Sequence, residues 1–202
     1  NYANFIKFYV NDSLIFLKEF RSKIDLLYLD SLDGHDPIAA SEHQLKEVKI
    51  PSFECRNQEL IKYCDTNFDR IFMSTGTSMW QEVVESVDLI QNAALTLMHC
   101  VSSYPGNPEQ ANIKKIAHLS MLCKSVGYSD HIMGVESAKV AIGEGALVVE
   151  KHFTIDNDLP GRDNKFAILP HELKNLSEFA KLKEDMMISH GNNYQDCELD
   201  SR

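Results

Sequence analysis

From Lys46 onward, short β-rich apolar runs alternate with longer stretches whose apolar positions recur at helical spacing. The strand-like runs lie at 47–50, 70–74, 95–101, 125–128 and 146–153, with room for a helix between successive runs. Strand and helix in alternation is the order that a parallel sheet with crossover helices requires. Ser78 followed by Gln81 has the form of a capping box and predicts a helix over 79–90, with Trp80, Val83, Val84, Val87 and Leu89 turned inward. Further helices are expected over 109–123, from Val135 to the turn at 143–145, and from Pro170, whose fixed φ suits a first helical turn. Ahead of Lys46, Asn11 or Asp12 could cap a helix through Leu14, Phe16, Leu17 and Phe20. A strand over 25–30 and a short helix ending near Lys46 would follow. Residues 188–202 read as a polar tail, and no internal repeat is visible.

Composition narrows the picture. A chain of 202 residues, 44% of them hydrophobic, can bury a core as one domain, but a complete eight-fold βα barrel takes about 250 residues. The chain opens on Asn1 rather than Met and reads as partial. Thirty acidic against 20 basic residues, a net charge of −10, argue against nucleic acid or an anionic membrane as partner, so an anionic substrate would need a local basic pocket. The five cysteines are odd in number and form no C-x-x-C pair, which fits reduced thiols in the cytoplasm. Neither a membrane span nor a signal segment is evident.

Polar clusters fall where strand candidates end, the face on which βα barrels build active sites. In KIPSFE (49–54), Lys49 could meet a phosphate or carboxylate and Glu54 could hold a hydroxyl or act as acid or base; a solvated strand end would look similar. MSTGT (73–77) sets hydroxyls and a glycine before a helix N-terminus, which suits an anion or simply a cap and turn. In HCVSSYP (99–105) the hydroxyls of Ser102, Ser103 and Tyr104 could bind substrate, whereas His99 reads as a core residue. VGYSDH (126–131) and EKHFTID (150–156) put His131 and His152 at the ends of consecutive strands. Neighbouring strands lie about 4.8 Å apart, so two imidazoles there can share a metal ion. Asp130 could orient its neighbouring histidine or pair with a lysine, and LPGRD (159–163) could return Asp163 over the site or be a surface turn.

Taken in order, KIPSFE, MSTGT, HCVSSYP, VGYSDH, EKHFTID and LPGRD resemble the N-acetylneuraminate (sialic acid) synthase family, with its legionaminate and pseudaminate synthase relatives; SDH followed by EKHFT is the most specific part. The resemblance runs from Lys49 to about Lys183. It implies a (β/α)8 TIM-barrel fold, incomplete here, with residues 1–187 as the aldolase-type synthase domain, 1–48 of it poorly matched, and 188–202 as a tail. It further implies a transferase that condenses phosphoenolpyruvate with an N-acylated amino sugar such as N-acetylmannosamine. Carbon 3 of phosphoenolpyruvate attacks the open-chain aldehyde, water adds at carbon 2, and phosphate leaves with C–O cleavage. By the same resemblance His131 and His152 bind a divalent metal, usually manganese, with magnesium or cobalt as alternatives, and act in catalysis with Glu54. Lys49, Ser52, Ser74, Ser102 and Ser129 would contact phosphoenolpyruvate, and Glu54, Tyr104 and Asp163 the sugar. The family's acidic opening strand, its following lysine-bearing strand and its antifreeze-like terminal domain are not recognisable. In relatives that terminal domain reaches the partner subunit's sugar site, so a homodimer is implied for the full-length protein. The sequence departs from the family pattern at Ile132, where Thr is usual after SDH, and at GRDN (161–164). Two competing functions are a Schiff-base aldolase using Lys49 or Lys151, and a barrel remnant that binds without catalysis.

Overall fold

The computed structural model describes residues 9–10 and 46–201; the helix, strand and short helix expected before Lys46 lie outside them. Six parallel strands form one sheet: β1 (Tyr9–Val10), β2 (Glu47–Ile50), β3 (Arg70–Ser74), β4 (Ala94–Cys100), β5 (Val126–Asp130) and β6 (Val148–Phe153), in spatial order β1-β6-β5-β4-β3-β2. The helices are α1 (Gln58–Asn67), α2 (Trp80–Asp88), α3 (Lys115–Leu119), α4 (Glu136–Gly143) and α5 (Pro170–Met186).

Side-chain alternation sorts each strand into two faces. Val48, Ile50, Ile71, Met73, Leu97, Val126 and Tyr128 pack with Ile61 and Cys64 of α1, Val83 of α2, Ile116 and Leu119 of α3, and Ala141 of α4. Val149 and Phe153 of β6 join Ala138 and Ile142 of α4 and Leu176 of α5 in a second cluster. The opposite face carries Lys49, Phe72, Ser74, Met98, Cys100, Ser129, Val148, Glu150 and His152, and Phe72, Met98 and Val148 form its apolar floor.

That face is the inside of a curl. Lys49 on β2 and Glu150 on β6 are separated by three intervening strands, about 19 Å if the sheet were flat, more than the two side chains can span. Their Nζ and Oε2 atoms nevertheless lie 2.6 Å apart. The sheet is therefore rolled into part of a TIM-type barrel with helices outside. Gly127 permits the roll at β5: a Cβ there would lie 2.4 Å from Met98 Sδ and 2.6 Å from the Val148 carbonyl oxygen.

Several boundaries differ from expectation. The helix expected over 109–123 is a 3-10 turn (Pro108–Gln110) followed by the short α3, because Asn112 takes φ 45°, which ends one helical segment before the next begins. Helix α2 starts one residue late. Glu82 Oε2, not Gln81, accepts the Met79 N–H at 2.7 Å, while Ser78 Oγ donates to the Gly76 carbonyl. That first turn leaves Trp80 42% exposed instead of inward. Residues 188–201 are exposed, with a 3-10 segment at Asp196–Ser201.

Candidate active site

The C-terminal ends of β2 to β6 bring a buried cation, a set of serines and two imidazoles to one end of the inner face. Lys49 and Glu150 are both buried and joined at 2.6 Å. Burial by itself would raise the Glu150 carboxyl, but the Lys49 ammonium beside it and the Ser129 hydroxyl bonded to it hold it below the usual glutamate range, so the group is a carboxylate. Ser52, in the 3-10 turn Ser52–Glu54 after β2, accepts the Gly76 N–H through its Oγ at 3.2 Å. A Cβ on Gly76 would fall 2.5 Å from Ser102 Oγ and 2.6 Å from Ser52 Oγ, so glycine is what lets these hydroxyls converge on the loop after β3. Ser74 Oγ is buried with no hydrogen-bond partner among the described residues. A buried hydroxyl left open costs free energy, and at functional sites such a group is a natural contact for a ligand.

The imidazoles stand beside this polar set. His131 and His152 have ring centroids 5.4 Å apart. A nitrogen–metal distance of about 2 Å would put two rings sharing one ion about 5 Å apart, so the pair fits. The Val101 carbonyl oxygen, 3.2 Å from His131 Nδ1, can only accept, so that nitrogen carries the proton and Nε2 keeps a lone pair. Burial, and next the charge of His152, push the His131 pKa down to about 4, keeping the ring neutral and able to ligate. No group of three or more His, Cys, Asp or Glu among the described residues is set to hold an ion. Water or substrate oxygens would have to complete the sphere, which suits a hard divalent cation.

Two of the three expected sugar contacts, Tyr104 and Asp163, lie beside these rings. Tyr104, 52% exposed, places its ring 4.2 Å from that of His131 and 6.2 Å from that of His152. The LPGRD turn returns Asp163 to the site, with Oδ2 3.8 Å from His152 Nδ1. Glu54 is half-buried and accepts from Asn57 Nδ2 at 2.7 Å, beside the start of α1.

Three neighbours were not singled out from sequence: Glu150 as the partner of Lys49, Phe166 against the His152 ring at 5.1 Å, and Cys100 with Sγ 3.9 Å from His131 Nδ1. Of these, only Glu150 had a signal, its place two residues before His152. His99 is a core residue as read, stacked on Tyr128 and bonded through Nε2 to the Ala111 carbonyl oxygen at 2.7 Å. Asp130 pairs with Lys151, on the helix-facing side of the sheet. Lys151 therefore does not face the imidazoles as a Schiff-base amine would have to.

Residues 33–192 match the model of the NeuB family. The N,N'-diacetyllegionaminic acid synthase of Legionella pneumophila is 35% identical over 166 residues, covering 78% of this chain and 47% of that protein. The N-acetylneuraminic acid (sialic acid) synthetase of Leptospira borgpetersenii, solved in complex with citrate, superposes with a TM-score of 0.77 at 28% identity, over 84% of this chain and 61% of that one. A DAHP synthase of Thermotoga maritima, 14% identical with a TM-score of 0.66, covers 80% of this chain and 51% of its own, and shares the fold. The chain spans about half the length of the curated relatives it matches.

Proposed function

Because this chain belongs to the NeuB family, we propose that it supplies the phosphoenolpyruvate and metal sites of a synthase that condenses phosphoenolpyruvate with an N-acylated amino sugar to give a sialic-acid-type nonulosonate and phosphate. The observation that carries this reading is the meeting, at one end of the inner face, of the imidazole pair with the buried Lys49 and its surrounding serines.

In this reading Lys49 and the hydroxyls of Ser52, Ser74, Ser102 and Ser129 receive the phosphate and carboxylate of phosphoenolpyruvate. They provide local positive charge and donors in a protein of net charge −10. Glu150 balances Lys49 until those anionic groups arrive. His131 and His152 hold a divalent ion, manganese first, with magnesium or cobalt as alternatives, through ring nitrogens, the His131 Nε2 lone pair being free to donate because its Nδ1 is bonded to the Val101 carbonyl oxygen. When bound, that ion would polarise the sugar aldehyde and stabilise the charge developing on its oxygen, worth several kcal/mol. Tyr104 covers the His131 ring, while Asp163 and Glu54 take hydroxyls of the sugar, with Glu54 also offered as acid or base. Holding both substrates in register supplies much of the remaining acceleration. A cytoplasmic location and a homodimer of the full-length protein belong to the same reading; free thiols support the first.

The test supplies manganese, phosphoenolpyruvate and N-acetylmannosamine or related acyl sugars, and follows phosphate release together with product mass. One phosphate per nine-carbon acid is the expected result for the full-length protein, while this chain alone should bind manganese and phosphoenolpyruvate with little or no turnover. Phosphoenolpyruvate binding without turnover by the full-length protein would favour a binding role. A borohydride-trapped pyruvate adduct on Lys49 would favour the aldolase.

A further inference from the structure

We infer that Lys151 and Asp130, on the face of the sheet away from the imidazoles, are positioning residues that set the spacing of His131 and His152. This rests on the reading that those two histidines share a divalent ion. The β5–β6 ladder ends at the Asp130↔Lys151 rung, so His131 lies just past the last strand pairing that could hold it in register with His152. Side chains take over from the ladder there. Asp130 Oδ1 accepts the Ile132 N–H at 3.0 Å, and the Lys151 ammonium donates to the Ile132 carbonyl oxygen. Both backbone groups of the residue after His131 are thus tied to a pair that includes the residue before His152.

The pair is itself fixed. Lys151 Nζ lies 3.1 Å from Asp130 Oδ2, and the same oxygen accepts from Ser137 Oγ at 2.7 Å. The two side chains are 5% and 0% exposed, so water cannot substitute for either partner. From the other side, Gly106 N–H donates to the His131 carbonyl oxygen at 2.8 Å. A buried ion pair seldom adds net stability over a hydrophobic substitute of similar volume. One that pins a mainchain segment between two ligands gains its value from geometry instead, as partners behind metal ligands do.

The test measures Mn²⁺ affinity by the electron paramagnetic signal of the free ion, in the wild-type chain, Lys151→Met, Asp130→Asn/Lys151→Met and His131→Ala. Phosphoenolpyruvate affinity in EDTA serves as the control for an intact fold. Lys151→Met should weaken manganese about 10- to 100-fold while phosphoenolpyruvate affinity in EDTA changes by no more than about twofold. The double variant removes both charges and keeps the backbone tie broken, so it should stay weak in manganese; if Lys151→Met fails to fold, this variant decides. Wild-type manganese affinity in either folded variant overturns the inference: in Lys151→Met it would mean the lysine does not matter, and in the double variant that it only balances a buried charge. Manganese binding that is unchanged in His131→Ala would instead overturn the metal reading, and the inference with it.

Discussion

Replacing Glu150 by Gln should destabilise the empty protein and make it more responsive to its anionic ligand. The side chains of Lys49 and Glu150 are 3% and 10% exposed and 2.6 Å apart, so removing the carboxylate takes away an acidic partner bonded directly to a buried ammonium. Breaking such a pair costs about 3 to 5 kcal/mol, whereas exchanging both partners for neutral groups is near neutral or stabilising. At about 2 to 4 °C per kcal/mol for a chain of this size, Glu150→Gln should lower Tm by about 6 to 20 °C, and Lys49→Met/Glu150→Gln should recover most of that loss. Phosphoenolpyruvate brings its own negative charge to Lys49, so at saturation it should raise the Tm of Glu150→Gln by more than that of wild type. Acid provides a second readout. The Glu150 carboxyl is held below its ordinary 4.5 in the fold, so on acidification the unfolded chain takes up this proton first. The stability from the pair is therefore complete above about pH 4.5 and is lost as pH falls through the folded value, a dependence that Glu150→Gln should lack. Thermal melts with and without phosphoenolpyruvate measure the Tm changes, and urea titrations across this pH range measure the stability loss and its acid dependence. A ligand-free Glu150→Gln variant within about 1 kcal/mol of wild type would refute the reasoning, because Lys49 would then have to find water or another counter-charge on losing Glu150.

Other substitutions probe separate parts of the account. Ser74→Ala should leave urea stability within about 1 kcal/mol of wild type, because its buried Oγ has no hydrogen-bond partner among the described residues, while calorimetry shows weakened phosphoenolpyruvate binding; unchanged binding would remove Ser74 from the anion site. Gly127→Ala should cost about 1 to 3 kcal/mol in urea unfolding, since the added methyl meets Met98 Sδ at 2.4 Å and the Val148 carbonyl oxygen at 2.6 Å; a neutral result would mean that the β4–β6 packing yields easily. Asp65 Oδ1 accepts the N–H groups of Gln91, Asn92 and Ala93, so Asp65→Ala should destabilise by about 3 kcal/mol and speed hydrogen exchange at those three amides; unchanged exchange would show that the loop before β4 holds itself.

What could be read from the sequence depended on how local its cause was. Strands β2 and β3 fall on the expected residues because each is a short β-rich run bounded by polar turns. The end of β5 was placed too early, at Tyr128: Ser129 and Asp130 look like loop residues until their partners are known, and both are buried through contacts with β6. Two residues of β1 are too few to show alternation, and their pairing with His152 and Phe153 joins positions far apart in the chain. His131 and His152 were legible because one βα repeat separates them. The pairing of Lys49 with Glu150, 101 residues apart, was not, because it exists only when the sheet closes. The two readings of Asp130 were separated only by geometry: its partner Lys151 is itself the next residue along the neighbouring strand from Glu150.

The central claim is that the imidazole pair and the Lys49 pocket form one site holding a metal ion and phosphoenolpyruvate together. Its most direct test is the ³¹P relaxation of phosphoenolpyruvate bound to this chain with Mn²⁺, compared with His152→Ala under the same conditions. The account predicts strong manganese-dependent relaxation in the wild type that disappears in His152→Ala although phosphoenolpyruvate still binds. Bound phosphoenolpyruvate whose relaxation is insensitive to manganese, or equally sensitive in His152→Ala, would contradict it.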